Sequence, residues 1–186
     1  NDTNRRLDTN LTNISEDIVK QIIKDNDLVQ FDISNSQFAI LSHLAPELDA
    51  DFISSTQDGV LYEYMMDKLK VDDRKQMKTN MFELFFSKNE TYKETKDKLQ
   101  EIFPKLISYA YNFKIENAYN ELAIMLQKFE SNMVIDGILK NVFSEGFWGI
   151  SIHDSIICRR SDEDAVKAII KAEFDKIGFK CTLKNK

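Results

Sequence analysis

The chain has 186 residues, 42% of them hydrophobic, which is enough for one domain with its own core. No run of about 18 uncharged apolar residues occurs, which excludes a membrane-spanning helix, and no secretory leader is visible. The formal net charge of −6 lacks the basic excess that is typical of nucleic-acid-binding proteins.

Only five glycines and two prolines interrupt the chain, so we expect long helices. The spacing of apolar and charged residues predicts helices at residues 15–25, 37–43, 58–70, 73–86, 88–100, 116–143 and 162–177. Strands are expected at residues 28–33, 150–152, 156–158 and 179–183. The second and third of these strands would form a β-hairpin. A few strands with helices on one side predict a single α+β domain.

Three common motifs for metal or nucleotide binding are absent from the sequence. It contains no HExxH, no paired CxxC and no GxxxxGK[ST], which excludes zinc proteases, zinc fingers and P-loop proteins. Cys158 and Cys181 lie in apolar segments without the spacing of metal ligands. Thiols of this kind indicate a reducing compartment such as the cytoplasm, although a disulfide between them stays open.

Two aspartates occupy positions where a carboxylate is unusual. Asp32 lies in the apolar strand segment, and Asp154 lies at the expected hairpin turn, between His153 and Ser155. Burying a carboxylate is costly unless it is paired or binds a metal. Two strand-borne carboxylates that face each other are the minimum for two-metal phosphoryl chemistry. Taken singly, each acid also fits an ordinary turn or cap.

A second chemical pattern lies on the helix predicted at residues 73–86. Arg74, Lys78, Phe82 and Phe86 follow at four-residue steps and therefore share one helical face. Cations followed by aromatic rings suit a nucleoside triphosphate, because cations bind phosphates and rings contact the sugar and base. The alternative is an ordinary amphipathic helix with both rings in the core.

The order of these elements resembles the A, B and C motifs of family-A DNA polymerases. Residues 31–37, the Arg-x3-Lys-x3-Phe-x3-Phe helix and residues 153–155 follow one another as those motifs do. Residues 6–14 are similar to the segment before motif A that contacts primer and template. Residues 126–131 are similar to a long palm helix that carries a glutamine near the template. The resemblance covers nearly the whole chain.

The resemblance implies an α+β fold with a small antiparallel palm sheet packed with helices, and a helical fingers subdomain. The palm would comprise residues from about 1 to 48 and from about 115 to 186, with the fingers at about 49–114. A thumb and a proofreading exonuclease are expected to be absent. Such reduced cores resemble polymerases of mobile elements and viruses.

The implied activity is template-directed nucleotidyl transfer by a DNA-dependent DNA polymerase with a two-metal mechanism. Asp32, Asp154 and the backbone carbonyl of Ile33 would hold two Mg²⁺ ions, which Mn²⁺ could replace. The residues implied to bind the nucleotide are Arg74, Lys78, Phe82, Phe86 and Gln37. The residues implied to contact primer and template are Arg6, Asn10, Asn13, Gln127 and His153.

Several positions depart from the family pattern. Ser155 stands where the family usually has Glu, and a serine at this place is also seen in single-subunit phage-type RNA polymerases. Gln37 replaces the glutamate that crowds the sugar 2′ position, and Phe86 replaces a tyrosine. Two alternatives therefore stay open: an RNA polymerase or primase, and a non-catalytic palm-like module that binds a partner or nucleic acid.

The implied partners are primer-template DNA, dNTPs and further polymerase domains or processivity subunits. No membrane partner is implied. We expect the protein in the cytoplasm or the interior of a host cell rather than outside it, and we expect it to act in DNA replication.

Overall fold

The computed structural model describes Thr3 and residues 9–185, without the side chain of Asn10. Its α-helices are α1 (Glu16–Asp25), α2 (Ser36–Leu44), α3 (Ala50–Gln57), α4 (Leu61–Leu69), α5 (Arg74–Phe86), α6 (Lys93–Ile102), α7 (Pro104–Glu116), α8 (Glu121–Ser131), α9 (Lys140–Ser144) and α10 (Glu163–Ile177). Its strands are β1 (Leu28–Ile33), β2 (Gly149–Ile152), β3 (Ser155–Arg159) and β4 (Leu183–Asn185). Short 3₁₀ helices lie at Asn10–Asn13 and Arg160–Asp162, and a π-helix lies at Asn132–Leu139.

The strands form one antiparallel sheet in the order β2-β3-β1-β4. β1 is central, with the hairpin strand β3 on one side and the C-terminal strand β4 on the other. At the end of β1, Asp32 lies opposite Ser155 on β3 and opposite Lys184 on β4. Residues directly opposite each other share one face of a sheet, so these three side chains form a row across it.

One face of the sheet packs against the main hydrophobic core, because the apolar residues of β1 alternate with polar ones. Val29, Phe31 and Ile33 belong to the buried core, whereas Gln30 and Asp32 lie on the opposite face. The α+β class predicted from the sequence is confirmed by this sheet and the helices around it.

The predicted hairpin is present, and its turn consists of His153 and Asp154 alone. His153 has a positive φ of +53°, as the first central residue of some two-residue hairpin turns requires. The turn places Asp154 at the tip of the hairpin, at the end of the sheet where Asp32 lies.

Several predicted elements differ in the structure. The helix predicted at 88–100 begins only at Lys93 and ends at Ile102. The last strand begins at Leu183, the final residue of the predicted 179–183 segment, because Phe179 instead packs into the core against Phe174 and His43. The long helix predicted at 116–143 begins only at Glu121, after a break that follows the end of α7.

The second half of that helix widens into the π-helix around Gly137. A Cβ at this position would lie 2.6 Å from the Oε1 atom of Glu173, so a larger residue here would have to displace this buried side chain of α10. The two cysteines are free thiols, and no disulfide joins them. Within residues 9–185, every helix is too short or too polar to reach across a lipid bilayer.

Candidate active site

Asp32 and Asp154 lie at adjoining ends of β1 and the hairpin. The N–H of Ile33 donates to the carbonyl of Asp154 at 3.3 Å, which joins the residue after Asp32 to the hairpin turn. The hydroxyl of Ser155 donates to the Oδ1 atom of Asp32 at 2.7 Å. Hydrogen bonds to an ionised acceptor are stronger than neutral ones, so this bond orients the Asp32 carboxylate. Both aspartates are partly exposed.

A cavity of about 500 Å³ opens beside these two acids. This volume lies within the range of small-molecule sites in proteins. The predicted site residues that line it are Asp32, Ile33, Gln37, Arg74, Lys78, Phe82, Phe86, Gln127, His153 and Asp154. Residues that are more than a hundred positions apart in the sequence therefore share one cavity.

Helix α5 turns two of its cations and two of its rings toward this cavity. The helix begins after Asp73, whose carboxylate accepts from the N–H of Gln76 at 3.0 Å as an N-cap. Its buried face consists of other residues, namely Met77, Met81, Leu84 and Phe85. The Arg-Lys-Phe-Phe face is therefore distinct from the core face of the helix.

The two rings on this face differ in burial. Phe82 is half-buried and packs against the core, whereas Phe86 is 40% exposed. Their rings stack with centroids 5.5 Å apart. An ordinary amphipathic helix with both rings in the core is consequently the wrong description of Phe86.

The guanidinium of Arg74 is held by two residues of α4. Its Nε atom lies 2.8 Å from the Oε1 atom of Glu63, and its centre lies 5.0 Å from the ring of Tyr62. Burial by itself would raise the pKa of Glu63, but the hydrogen bond and charge of Arg74 outweigh it and hold that pKa below its usual value. Burial raises the pKa of the Tyr62 hydroxyl far above its usual value, and Asp154 is among the charges that add to this rise.

Two charged residues of the cavity were missed by the sequence reasoning. Glu130 on α8 is 2% exposed and accepts a hydrogen bond from the hydroxyl of Ser36 at 3.0 Å. Lys184 lies opposite Asp32 and also lines the cavity. An acid inside an apolar helical pattern was an available signal for Glu130. The sequence carries no such signal for Lys184, which stands in a short charged tail.

Two buried polar atoms of the cavity wall have no hydrogen-bond partner within the part of the chain that the structure describes. They are the Oγ atom of Ser34 and the Nδ2 atom of Asn35. Native proteins leave few such atoms, so each calls for an explanation. Both groups can donate a hydrogen bond, which fits a ligand that carries acceptors.

The residues predicted to contact primer and template are only partly assembled here. Gln127 and His153 line the cavity. Asn13 lies on the first 3₁₀ helix, where its amide donates to the Thr9 carbonyl at 3.1 Å, and it does not line the cavity. Arg6 and the side chain of Asn10 lie outside the described residues. Among the residues described, no group of three or more His, Cys, Asp or Glu side chains is arranged to hold a metal ion.

Another cavity of similar volume lies between α1 and the sheet. Its walls are mostly apolar and include Val19, Trp148 and Ile150, while its Arg160 pairs with Asp27 at 2.8 Å. Neither of the predicted acids lines it. The cavity beside Asp32 is therefore the candidate active site.

Comparisons with known proteins give a likeness of fold. No family model and no curated protein matches the sequence. Among solved structures, the chain is similar to the POL domain of Pol1 from M. smegmatis, which was solved in a complex with DNA primer-template and dNTP. The TM-score is 0.62 and the sequence identity is 11%; the match covers 85% of this chain but only 38% of that chain. The predicted palm-like α+β fold is thus confirmed as similar to that of a DNA polymerase domain.

Proposed function

We propose that this chain is a nucleotidyltransferase that extends a DNA primer along a template with dNTPs. One observation carries the proposal: a single cavity is lined by two strand-end acids, two cations and two aromatic rings, contributed by distant parts of the sequence. The likeness in fold to a polymerase domain supports it.

We further propose that the chain is a family-A-type core, reduced in the manner of mobile-element or viral polymerases. In this proposal, the sheet and its packed helices form the palm, at residues from about 1 to 48 and from about 115 to 186. The helices at about 49–114, including α5, form the fingers. The chain spans 38% of the polymerase-domain chain to which it is similar, so further domains are proposed as partners.

The acid pair fits Mg²⁺, which proteins bind through one or two carboxylates while substrate phosphates and water complete the shell. Asp32, Asp154 and the carbonyl of Ile33 would hold two such ions, or Mn²⁺ in their place. The hydroxyl of Ser155 donates to the Oδ1 atom of Asp32 and so orients this carboxylate. When bound, the ions would supply charge compensation and an activated primer hydroxyl.

The remaining roles follow from the chain's own side chains. Arg74 and Lys78 lie in the first two turns of α5, where cations can form charge-assisted hydrogen bonds with the triphosphate. The stacked rings of Phe82 and Phe86, together with Gln37, would bound the sugar and base. The primer and template contacts would come from Arg6, Asn10, Asn13, Gln127 and His153.

Template-directed primer extension tests the proposal. Asp32→Asn and Asp154→Asn should each lower dNTP incorporation at least about 100-fold, because each removes charge from the proposed metal site. Asp164→Asn is a matched control, because Asp164 is exposed on α10 and does not line the cavity. Activity that survives unchanged in both site variants would refute the mechanism.

One observation favours a second candidate, a polymerase that uses ribonucleotides. Ser155, which departs from the DNA polymerase pattern, is hydrogen-bonded to Asp32 inside the site. Offering rNTPs and dNTPs separately distinguishes the two candidates, since a strong dNTP preference removes the second. A non-catalytic binding module would extend no primer with either nucleotide, and its thermal stability with Mn²⁺ and nucleotide would not depend on Asp32.

A further inference from the structure

Lys184 lies beside one of the proposed catalytic acids through the register of the sheet. β4 places it directly opposite Asp32, on the other side of that acid from Ser155. Because opposed residues share a face, its side chain emerges on the cavity side of the sheet, and it lines the cavity. The position is set by backbone pairing rather than by a flexible loop.

The ammonium of Lys184 is weakly held. Its hydrogen bond goes to the carbonyl of Gly59 at 3.4 Å, which is long for an N–H···O bond. Lys184 is exposed, and lysine has a flexible four-carbon stem. The ammonium can therefore leave this carbonyl for a stronger acceptor at little cost.

Its charge acts on Glu63, the residue that holds Arg74. Lys184 contributes to the lowered pKa of Glu63, the carboxylate that is paired with Arg74 at 2.8 Å. Glu63 therefore lies within the electrostatic reach of both cations. A multiply charged anion that took the place of Glu63 at Arg74 would meet Lys184 as well.

We propose that Lys184 is a third cation of the nucleotide site and binds the terminal phosphates of the triphosphate, and hence the pyrophosphate product. Arg74 and Lys78 approach from α5, while Lys184 approaches from the sheet, so the phosphate chain would lie between the two elements. A nucleoside monophosphate, which ends before this point, would gain little from Lys184. This inference rests on the proposed function, because that function supplies the triphosphate.

Calorimetric titration with dTTP and dTMP, without primer or template, tests this role. Lys184→Gln should weaken dTTP binding about 10-fold, since a hydrogen bond to a charged group is lost, and should change dTMP binding less than about 2-fold. Lys184→Arg should restore most of the dTTP affinity. Lys180→Gln is a matched control on the same segment, because Lys180 is exposed and does not line the cavity.

Unchanged dTTP affinity in Lys184→Gln would overturn the inference, as would an equal loss for dTTP and dTMP. Failure of the proposed function gives a different result. If the chain extends no primer but its dTTP affinity depends on Lys184, the phosphate contact stands and the polymerase proposal fails. If primer extension requires Asp32 and Asp154 but dTTP affinity is the same in the wild type and in Lys184→Gln, only the present inference fails.

Discussion

Lys114 is a buried cation that holds the carboxyl end of α5. It is 8% exposed, and its ammonium donates to the carbonyl of Leu84 and, at 2.6 Å, to the carbonyl of Ser87. The last carbonyls of a helix lack donors within the helix, and a positive charge there is also favoured by the helix dipole. Lys114 therefore ties α7 to the helix that carries Arg74 and Lys78.

The burial of Lys114 predicts a stability that rises with pH, because burial opposes its charged form. Burial, and then the charge of Lys96, lower the pKa of Lys114 to about 8. In the unfolded chain its pKa would be about 10.4, so between these values the unfolded state binds more protons and the native state gains stability as the pH rises. The full shift corresponds to about 3 kcal/mol, of which about 2 kcal/mol falls between about pH 7.5 and about pH 9.5.

Urea unfolding of the wild type and of Lys114→Met at these two pH values measures the effect. The free energy of unfolding of the wild type should rise by about 2 kcal/mol more than that of Lys114→Met, because the titrations of groups that do not interact with Lys114 cancel in the difference. Lys105→Met, an exposed lysine on the same helix, should follow the wild type. Identical pH dependence in wild type and Lys114→Met would refute the reasoning.

Three further changes have expected outcomes. Gly137→Ala should lower the free energy of unfolding by about 1–3 kcal/mol, although alanine normally favours a helix, because its Cβ would lie 2.6 Å from Glu173. Ser155→Ala should cost about 1.5–3 kcal/mol in the same urea measurement, since it removes a buried hydroxyl bonded to a carboxylate at 2.7 Å. Glu63→Gln should raise dTTP affinity about 2- to 5-fold in a calorimetric titration, because Arg74 loses a half-exposed competing partner.

Each of these predictions can be contradicted. For Gly137→Ala, an added Glu173→Ala change should relieve the clash, and a penalty that persists would point to another cause. A Ser155→Ala variant as stable as the wild type would mean that the hydroxyl contributes nothing to the fold. Equal or weaker dTTP binding by Glu63→Gln would show that this carboxylate does not compete for Arg74.

The strongest sequence predictions came from patterns with a local cause. The alternation of apolar residues around Asp32 predicted β1, and the apolar runs on either side of Asp154 predicted the hairpin. The four-residue spacing from Arg74 to Phe86 put four side chains on one helical face. These features depend on contacts within a few residues or across a tight turn, so the sequence was sufficient to predict them.

Predictions failed where several distant segments competed for the same place. Phe179 has the apolar character of a strand residue, but its ring packs in the core between Phe174 of α10 and His43 of α2. The strand β4 consequently begins later. The break before Glu121 was not predicted, because the residues on both sides of it favour helix. Helix and strand propensities predict structure poorly wherever burial in the core decides which conformation a segment adopts.

By itself, the sequence determined that a sheet strand, a cationic and aromatic helix face and an acid-tipped hairpin exist, because periodicity and turn chemistry are local. Only the tertiary structure decided that these elements line one cavity, and that Glu130 and Lys184 join them there. The register of β4 against Asp32 and the buried position of Glu130 depend on the packing of the whole core. No short stretch of sequence contains that information, because each of these contacts joins residues that are far apart in the chain.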